Sequence, residues 1–175
     1  MAKCEIISPR DLTQSKLKEA LEYNPVTGEF RWLVTNSHRR VAGSDAGGFG
    51  YNGYWRVSVF GHRYYAHRLA WFYMTGEWPK QHIDHVNLDK RDNRFANLRL
   101  ASPMQNNANT GLKGSNTSGF VGVNFDRRSG KWLARVRANG KRVNLGLFDT
   151  AEEAARARDD YAKRNHGEFF RPAIQ

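Results

Sequence analysis

The N-terminal part of the chain combines one helical pattern with short stretches of strand character. Residues 11–23 place apolar side chains at roughly helical intervals, and Thr13 stands at the N-cap position. Asn24 and Pro25 stop this pattern, because proline cannot continue a helix. The sequence therefore predicts a helix over residues 11–23, then a turn, then a strand that begins at Phe30.

Alternating and helical patterns follow one another between residues 54 and 76. The apolar and aromatic segments 54–60 and 63–66 flank the turn Gly61-His62, which predicts a β-hairpin. A helix is predicted from about His67 to Tyr73, with Gly76 ending it. Residues 1–76 are thus expected to form a β-rich platform with one or two helices.

Residues 82–109 predict a strand, a polar loop, a returning strand and a helix. The first strand ends in the pair Asp84-His85, and alternating apolar positions mark a second strand after Asn97. Ser102 stands at an N-cap position, and Pro103 follows at the first helical position, where its missing N–H is not needed. This order would bring the strand end and the first helical turn around one small site.

Residues 119–148 predict three strands separated by turns at 128–130 and 138–140, the second containing Asn139-Gly140. A capping box at 150–153 then starts a helix whose small residues allow close packing on the sheet. Alternation places two sets of side chains on opposite faces. The core-facing set is Trp132, Ala134, Val136, Val143, Leu145 and Leu147, the open-face set is Arg135, Arg137, Arg142 and Asn144, and the small helix residues are Ala151, Ala154, Ala155, Ala157 and Ala162 with Tyr161.

A linker composition separates these two regions. Residues 110–119 are rich in Gly, Ser, Thr and Asn and poor in large apolar side chains. We therefore predict a first domain over 1–110, with its core at about 64–110, a linker at 111–118 and a second domain over 119–175. The first 110 residues hold 15 Lys and Arg against 10 Asp and Glu, and the remainder holds 13 against 7.

The charge indicates a polyanionic partner. A net charge of +11 and a pI near 10.1 favour nucleic acid, because phosphate contacts release counterions. No apolar run approaches the length of a membrane span, and the first residues lack a signal-like apolar core, so we expect an intracellular protein that is not secreted. The single cysteine, Cys4, excludes disulfides within the chain and a CxxC zinc site.

Three residues of the 82–109 segment offer the groups that phosphodiester hydrolysis needs. Hydrolysis requires a base for water and a cation that stabilises negative charge. The imidazole of His85 can accept a proton near neutral pH, and the oxygens of Asp84 and Asn106 suit a hard divalent ion such as Mg²⁺.

The segments HRLAW at 67–71, IDH at 83–85, DNR at 92–94, NLR at 97–99 and QN at 105–106 resemble the HNH family, particularly its phage and intron-encoded homing endonucleases. The resemblance implies that His85 is the general base, that Asp84 and Asn106 bind the metal, and that Asn97 braces the loop. Asn93 is interpreted as a structural residue that caps a turn. Asn107 and Asn109 leave the helix register open. Basic residues beside this site are predicted to contact phosphate: Arg91, Arg94 and Arg99.

The segments GFVGV at 119–123, GKW at 130–132, RVNLG at 142–146 and FDTAEEAA at 148–155 resemble the AP2 domain. The resemblance implies DNA contact through Arg135, Arg137, Arg142 and Asn144. Val121, Asn124 and Asp126 stand where plant AP2 domains often carry arginine, so the recognised sequence does not carry over. The full predicted basic set also includes Arg127, Arg128 and Lys131.

Together these patterns predict an α+β protein: an N-terminal ββα-metal (His-Me finger, HNH) nuclease domain and a three-stranded antiparallel sheet packed on one helix. We expect a sequence-directed endonuclease of a phage or mobile element that acts on double-stranded DNA as a monomer, inside a bacterial host. It would use one divalent cation, Mg²⁺ or Mn²⁺, without zinc or a small-molecule cofactor. Nicking is the default expectation. A regulatory DNA-binding protein without cleavage activity and an RNA-binding protein are the alternatives.

Overall fold

The structure is a computed structural model that describes residues 11–38, 40–109, 111–112, 114–138 and 140–173, without the side chains of residues 107, 108 and 166. The chain forms two compact units, Met1–Leu100 and Ala101–Gln175. The linker predicted at 111–118 falls within the second unit, and the domain boundary there stays a prediction. Cys4 and the turn residue Asn139 lie outside the described residues.

The first helix is shorter than the sequence predicts. Helix α1 spans Gln14–Ala20, and the Thr13 side chain caps it by accepting a hydrogen bond from the Lys16 N–H at 3.3 Å. Residues Leu21–Tyr23 form strand β1, which pairs antiparallel with β2 at Phe30–Trp32. The predicted helix over 11–23 is therefore wrong at its end, because the 21–23 side chains alternate between the core and solvent and complete a sheet.

The predicted hairpin and second helix are confirmed, but the turn of the hairpin lies at Phe60-Gly61 instead of the predicted Gly61-His62, because His62 pairs with Val59. Strands β3 (Gly48–Phe49), β4 (Trp55–Val59) and β5 (His62–Tyr65) form one antiparallel sheet in that order. The two-residue turn between β4 and β5 has positive φ angles of 50° and 80°. Helix α2 spans Ala66–Thr75 and ends at Gly76 in the left-handed conformation, which glycine adopts without strain.

The elements of the 82–109 segment occur in the predicted order. Strand β6 (His82–His85) and strand β7 (Leu98–Ala101) form a two-stranded sheet, and a single 3-10 turn at Phe95–Asn97 precedes β7. Helix α3 spans Pro103–Ala108, with a capping box formed by Ser102 and Gln105.

The core of the first unit joins its two helices to its sheets. The apolar side chains of α1, α2, β1, β2 and β4 meet there, and Ile83 of β6 and Leu98 of β7 extend it toward the Asp84-His85 pair. Phe72 stacks on Trp78 with ring centroids 4.4 Å apart. The core therefore anchors both strands of the 82–109 segment.

The second unit contains the predicted sheet and helix. Strands β8 (Val123–Asp126), β9 (Lys131–Ala138) and β10 (Lys141–Phe148) form a sheet in the order β10-β9-β8, and helix α4 spans Ala151–His166. Thr150 and Glu153 form the predicted capping box. The small side chains of α4 lie in the core with the inner face of the sheet. Four of them are buried: Ala151, Ala154, Ala155 and Ala162.

One predicted core residue of β10 lies on the opposite face. Val143 pairs with Val136, as alternation requires, but the register shifts between Asn144 and Gly146. This β-bulge at Leu145 reverses the alternation that follows, since a bulge adds one unpaired residue to a strand. Leu147, 46% exposed, therefore lies beside Leu133 on the open face, and the next residue, Phe148, packs on the core instead.

Candidate functional site

Asp84 and His85 form a buried pair at the end of β6. Their exposed fractions are 4% and 5%. The preceding residue, Ile83, is buried in the core of the first unit, which fixes the strand that carries them. A carboxylate and an imidazole are thus held at one strand end, largely withdrawn from bulk water.

Arg99 of β7 binds the carboxylate of Asp84. Its Nε donates to Asp84 Oδ2 at 2.8 Å, and its Nη2 lies 2.8 Å from the same oxygen. The Arg99 side chain is 17% exposed. A buried carboxylate needs such a partner, because an uncompensated charge in the interior is strongly unfavourable. The sequence predicted a phosphate contact for Arg99, whereas the structure places its guanidinium against Asp84.

Aromatic rings and a second histidine surround His85. The ring centroid of His67 is 5.2 Å from that of His85, and the Tyr54 centroid is 6.0 Å away. Burial lowers the pKa of His85 below its ordinary value, against the opposing effects of Asn93 and the charge of Asp84. A lowered pKa keeps the imidazole neutral at neutral pH, which is the state that accepts a proton.

His67 is buried on α2, in agreement with its interpretation as a core residue. It is 8% exposed, and its Nδ1 has no hydrogen-bond partner within the described part of the chain. Burial, together with the charges of His85 and Arg68, lowers the pKa of His67 to about 3. His67 is therefore neutral throughout the physiological range.

Asn97 joins the two ends of the loop over residues 86–94. Its Oδ1 accepts a hydrogen bond from the Asn87 N–H at 3.0 Å, and its Nδ2 donates to Asn87 Oδ1 at 2.9 Å and to the Asp92 carbonyl at 2.8 Å. The side chain is 6% exposed. These three bonds fix the loop that leaves the Asp84-His85 pair.

Asp92 and Arg94 form an ion pair within the same loop. Arg94 Nε donates to Asp92 Oδ1 at 2.8 Å, and its Nη2 donates to Oδ2 at 2.5 Å. Hydrogen bonding to Arg94 lowers the pKa of Asp92 to about 2. Arg94 is half exposed. Its guanidinium therefore orders the loop from the solvent side.

The turn between β1 and β2 supports loop 86–94 from the protein side. The Tyr23 hydroxyl donates to the carbonyl of Asn93 at 2.6 Å, and the Phe95 N–H donates to the carbonyl of Pro25 at 3.1 Å. A Cβ on Gly28 would lie only 2.5 Å from the Arg94 nitrogen. No local pattern predicts this contact, since 70 residues separate Tyr23 from Asn93.

Two cations of the loop lie over aromatic rings. Lys90 Nζ is 4.8 Å from the centre of the Tyr54 ring, and the Arg91 guanidinium carbon is 4.9 Å from that of Phe49. Asn93 is 4% exposed, and its Nδ2 donates to the Arg91 carbonyl at 3.1 Å. The predicted structural role of Asn93 thus has a hydrogen bond to support it.

Asn106 lies on α3, in the second unit, and is half-buried. The Gln105 N–H donates to Ser102 Oγ at 3.2 Å, and the Ser102 N–H donates to Gln105 Oε1 at 2.8 Å. Of the alternatives for the helix register, Asn109 is buried and accepts a hydrogen bond from Arg171 at 3.3 Å, while the Asn107 side chain lies outside the described residues.

The open face of the second unit's sheet gathers its predicted basic residues. Arg137 pairs with Arg142 and Arg135 pairs with Asn144 across β9 and β10, so these side chains share one face. Lys131 forms an ion pair with Asp149 at 3.0 Å. Arg127 and Arg128 are exposed in the turn before β9.

The described residues contain neither a cluster of metal-binding side chains nor a membrane-spanning helix. Within residues 11–173, apart from the undescribed positions, no group of three or more His, Cys, Asp or Glu side chains could hold a metal ion. Over the same part of the chain, no helix has both the length and the apolar character needed to cross a membrane.

Two family models match the chain. A model described as HNH endonuclease matches residues 64–108, and one described as AP2 domain matches residues 118–168. Together they cover residues 82–108 of the 82–109 segment and the three-stranded sheet with its helix. No solved structure gives a significant match.

Relatives match either most of the chain or its C-terminal part. Protein 3.8 of Escherichia phage T7 is 34% identical over 109 residues, which cover 60% of this chain and 87% of the phage protein. The ethylene-responsive transcription factor ERN1 of Lotus japonicus is 48% identical over 52 residues, covering 29% of this chain and 19% of its own length. The AP2-like factor TOE2 of Arabidopsis thaliana is 47% identical over 53 residues, covering 30% and 11%.

Proposed function

Because the chain belongs to the HNH endonuclease family and carries an AP2 domain after its HNH domain, we propose that it is a metal-dependent, sequence-directed DNA endonuclease. We further propose that it is a free-standing homing endonuclease of a phage or mobile element and acts inside a bacterial host cell. The buried Asp84-His85 pair at the end of β6 is the observation that carries this proposal.

His85 is proposed as the general base. A base must be neutral before it can take a proton from water, and the lowered pKa of His85 favours that state. Tyr54 and His67 pack around its ring and limit the orientations it can adopt. The imidazole would accept the proton of the water that attacks phosphorus.

Asp84 and Asn106 are proposed to hold a divalent cation. Their donors are a carboxylate and an amide oxygen, which suit Mg²⁺ or Mn²⁺ rather than zinc. Mg²⁺ needs only one or two protein carboxylates when water and substrate phosphate complete its shell, so one carboxylate and one amide oxygen suit it. When bound, such an ion stabilises negative charge on phosphate oxygens. Arg99 would fix the orientation of the Asp84 carboxylate through their two contacts.

Loop 86–94 is proposed to position the substrate. Asn97 and Asn93 hold the loop, and the exposed cations Arg91 and Arg94 would approach the phosphates of the cut strand. Arg99 is proposed to act through Asp84 instead of through direct phosphate contact.

The sheet of the second unit is proposed to hold and select double-stranded DNA. A sheet face of this size can enter the major groove, where arginine side chains contact guanine and distinguish it from other bases. The proposed contacts are Arg127, Arg128, Lys131, Arg135, Arg137, Arg142 and Asn144. One HNH site cuts one strand in each binding event, so we propose a monomer that nicks.

Incubation of supercoiled plasmid with the full chain and Mg²⁺ tests the proposal. We expect conversion to the relaxed form by the wild type, and loss of this conversion with His85→Ala or with excess chelator. His82→Ala is the matched control, since His82 is exposed on the same strand. Binding of plasmid without any relaxation would identify a regulatory protein instead.

The rate should also depend on pH in a defined direction. Activity requires neutral His85, so the rate should rise with pH on the acid side and level off once His85 is deprotonated. Because burial lowers the pKa of His85, the midpoint of that rise should lie below 6.5. Single-turnover relaxation rates between pH 5 and 8 would measure it, and a midpoint above 6.5 would contradict the assignment.

A further inference from the structure

The sheet β3-β4-β5 has an outward face. Apart from the last two residues of β5, this sheet lies outside the residues that the two family models match. Val57 and Val59 of β4 point into the core of the first unit. Alternation places Arg56 and Ser58 on the opposite face, and Arg63 of β5 is the cross-strand partner of Ser58. Two arginines therefore lie on one outward sheet face that precedes the HNH match, Arg63 exposed and Arg56 half-buried.

This surface forms the floor of an open groove of about 340 Å³. We call it the platform groove, and its charged lining is Arg40, Arg56, Arg63 and Asp45. Arg40 lies over the Trp32 ring, with its guanidinium carbon 5.0 Å from the ring centre. Three cationic groups thus face one carboxylate along the groove.

No carboxylate of the described residues pairs with the two sheet arginines of the groove, Arg56 and Arg63. Asp45 lies 3.8 Å from Arg31, which shares its negative charge. In the part of the chain that the structure describes, neither Arg56 nor Arg63 forms an ion pair. Arg56 is instead held in place, because its Nη2 donates to the Tyr65 hydroxyl at 3.0 Å and its guanidinium lies 4.7 Å from that ring.

Glycines keep the groove open beside Arg56. Gly48 is the cross-strand partner of Arg56, and a Cβ on Gly48 would meet nothing within 4 Å. Gly47 has φ +106°, and a Cβ there would lie 2.3 Å from the Arg56 carbonyl oxygen. The segment therefore approaches β4 closely with its backbone and leaves the space above Gly48 empty.

We propose that the platform groove binds the phosphodiester backbone of DNA, in addition to the contacts proposed for loop 86–94 and for the AP2 sheet. This inference rests on the proposed function, since it takes DNA as the partner. Arg56 and Arg63 are diagonal neighbours on adjacent strands, with Cβ atoms roughly 7–8 Å apart. Two guanidinium groups at that spacing suit neighbouring phosphates, and their charge matches a polyanion in a way that depends little on base sequence.

Salt dependence of DNA binding tests the groove directly. The full chain with His85→Ala is titrated into a labelled duplex of arbitrary sequence at several salt concentrations. Each lost phosphate contact should reduce the slope of log K against log salt by about 0.9. We therefore expect a reduction of about 0.9 for Arg63→Gln. Lys18→Gln, which removes the same charge from an exposed position on α1, should leave the slope unchanged.

A second pair of variants closes the groove without removing an arginine. Gly48→Glu places a carboxylate opposite Arg56, and Gly48→Gln adds similar volume without charge. The backbone φ of Gly48 and the empty space at its Cβ allow both side chains. We expect Gly48→Glu to lower both the slope and the affinity by more than Gly48→Gln does, with melting temperatures close to that of the parent.

The outcomes separate this inference from the proposed function. Unchanged slopes for Arg63→Gln and Gly48→Glu, with intact DNA binding and plasmid relaxation by the wild type, would overturn the groove alone. A wild-type chain that neither binds nor relaxes plasmid would overturn the proposed function and the groove together. An equal reduction of the salt slope by Lys18→Gln and by Arg63→Gln would show that only the net charge of the chain matters. That result would also overturn the groove as a binding site.

Discussion

Loop 86–94 with its flanking strands and the open face of the AP2 sheet both carry several cationic side chains, but they use them differently. In the HNH domain, Arg99 binds Asp84 and Arg94 binds Asp92. On the sheet, Arg137 and Arg142 face each other across two strands, and neither forms an ion pair with any residue that the structure describes. Internal pairing fixes the geometry of Asp84 and of the loop beside it, whereas the positive charge of Arg137 and Arg142 is not offset by a carboxylate of the described residues.

The largest expected effect comes from breaking the buried ion pair. Arg99→Leu leaves the Asp84 carboxylate buried without its guanidinium, which should lower the free energy of unfolding by about 3–5 kcal/mol. Arg94→Leu breaks a pair in which Arg94 is half exposed to solvent, so it should lower the free energy of unfolding far less than Arg99→Leu does. Urea unfolding of both variants measures the difference. Equal decreases in the free energy of unfolding would mean that burial does not make the Asp84–Arg99 pair more important for stability than the Asp92–Arg94 pair.

An intermediate effect should appear in the pH dependence of stability. The pKa of His67 is about 3 in the folded protein and near 6.5 when unfolded, so below pH 6.5 the unfolded chain binds a proton that the folded chain does not. The free energy of unfolding should therefore decrease by about 1.4 kcal/mol per pH unit as pH falls from 6.5 toward 3. Stability above pH 6.5 should not depend on this group.

His67→Leu isolates that contribution. Between pH 6 and 4, the free energy of unfolding of the variant should depend on pH less steeply than that of the wild type, by about 1.4 kcal/mol per pH unit. Urea unfolding at a series of pH values measures both slopes. The half-buried His62 on β5 supplies the control, and His62→Leu should change this pH dependence much less than His67→Leu does. Identical curves for wild type and His67→Leu would contradict the lowered pKa of His67.

The smallest expected effect lies on the sheet. Arg137→Gln should reduce the salt slope of DNA binding by about 0.9 and leave the free energy of unfolding within about 0.5 kcal/mol of wild type. Lys131→Gln provides the contrast. Because Lys131 is already paired with Asp149, this substitution should reduce the salt slope by less than Arg137→Gln does. A slope that is insensitive to Arg137 would remove this face from the DNA interface.

The elements that the sequence predicted correctly depend on local signals. The capping boxes at Ser102 and Thr150 and the alternation in β9 follow from residues within a few positions of one another. The features that it missed depend on distant partners or on register. Strand β1 exists because Phe30 and Trp32 pair with it, and the face of Leu147 depends on a one-residue bulge.

The same distinction applies to the candidate site. The motif placed Asp84 and His85 at a strand end, which the structure confirms as the end of β6. The contact between Asp84 and Arg99 spans 15 residues, and no local pattern distinguishes this arginine from the exposed arginines of the neighbouring loop. The buried Arg158, whose Nη1 donates to Asp159 and to the Arg171 carbonyl, was missed for the same reason.

The close approach of Gly28 to the backbone at residues 93 and 94 limits how the HNH motif can be moved between proteins. A graft of residues 64–108 alone would leave behind Tyr23, whose hydroxyl donates to the Asn93 carbonyl, and Pro25, whose carbonyl accepts from the Phe95 N–H. Any larger side chain at position 28 would push against main-chain atoms of the loop. An engineered fusion that needs this cutting activity should therefore include the segment from α1 through β2 as an inseparable part of the transplanted unit.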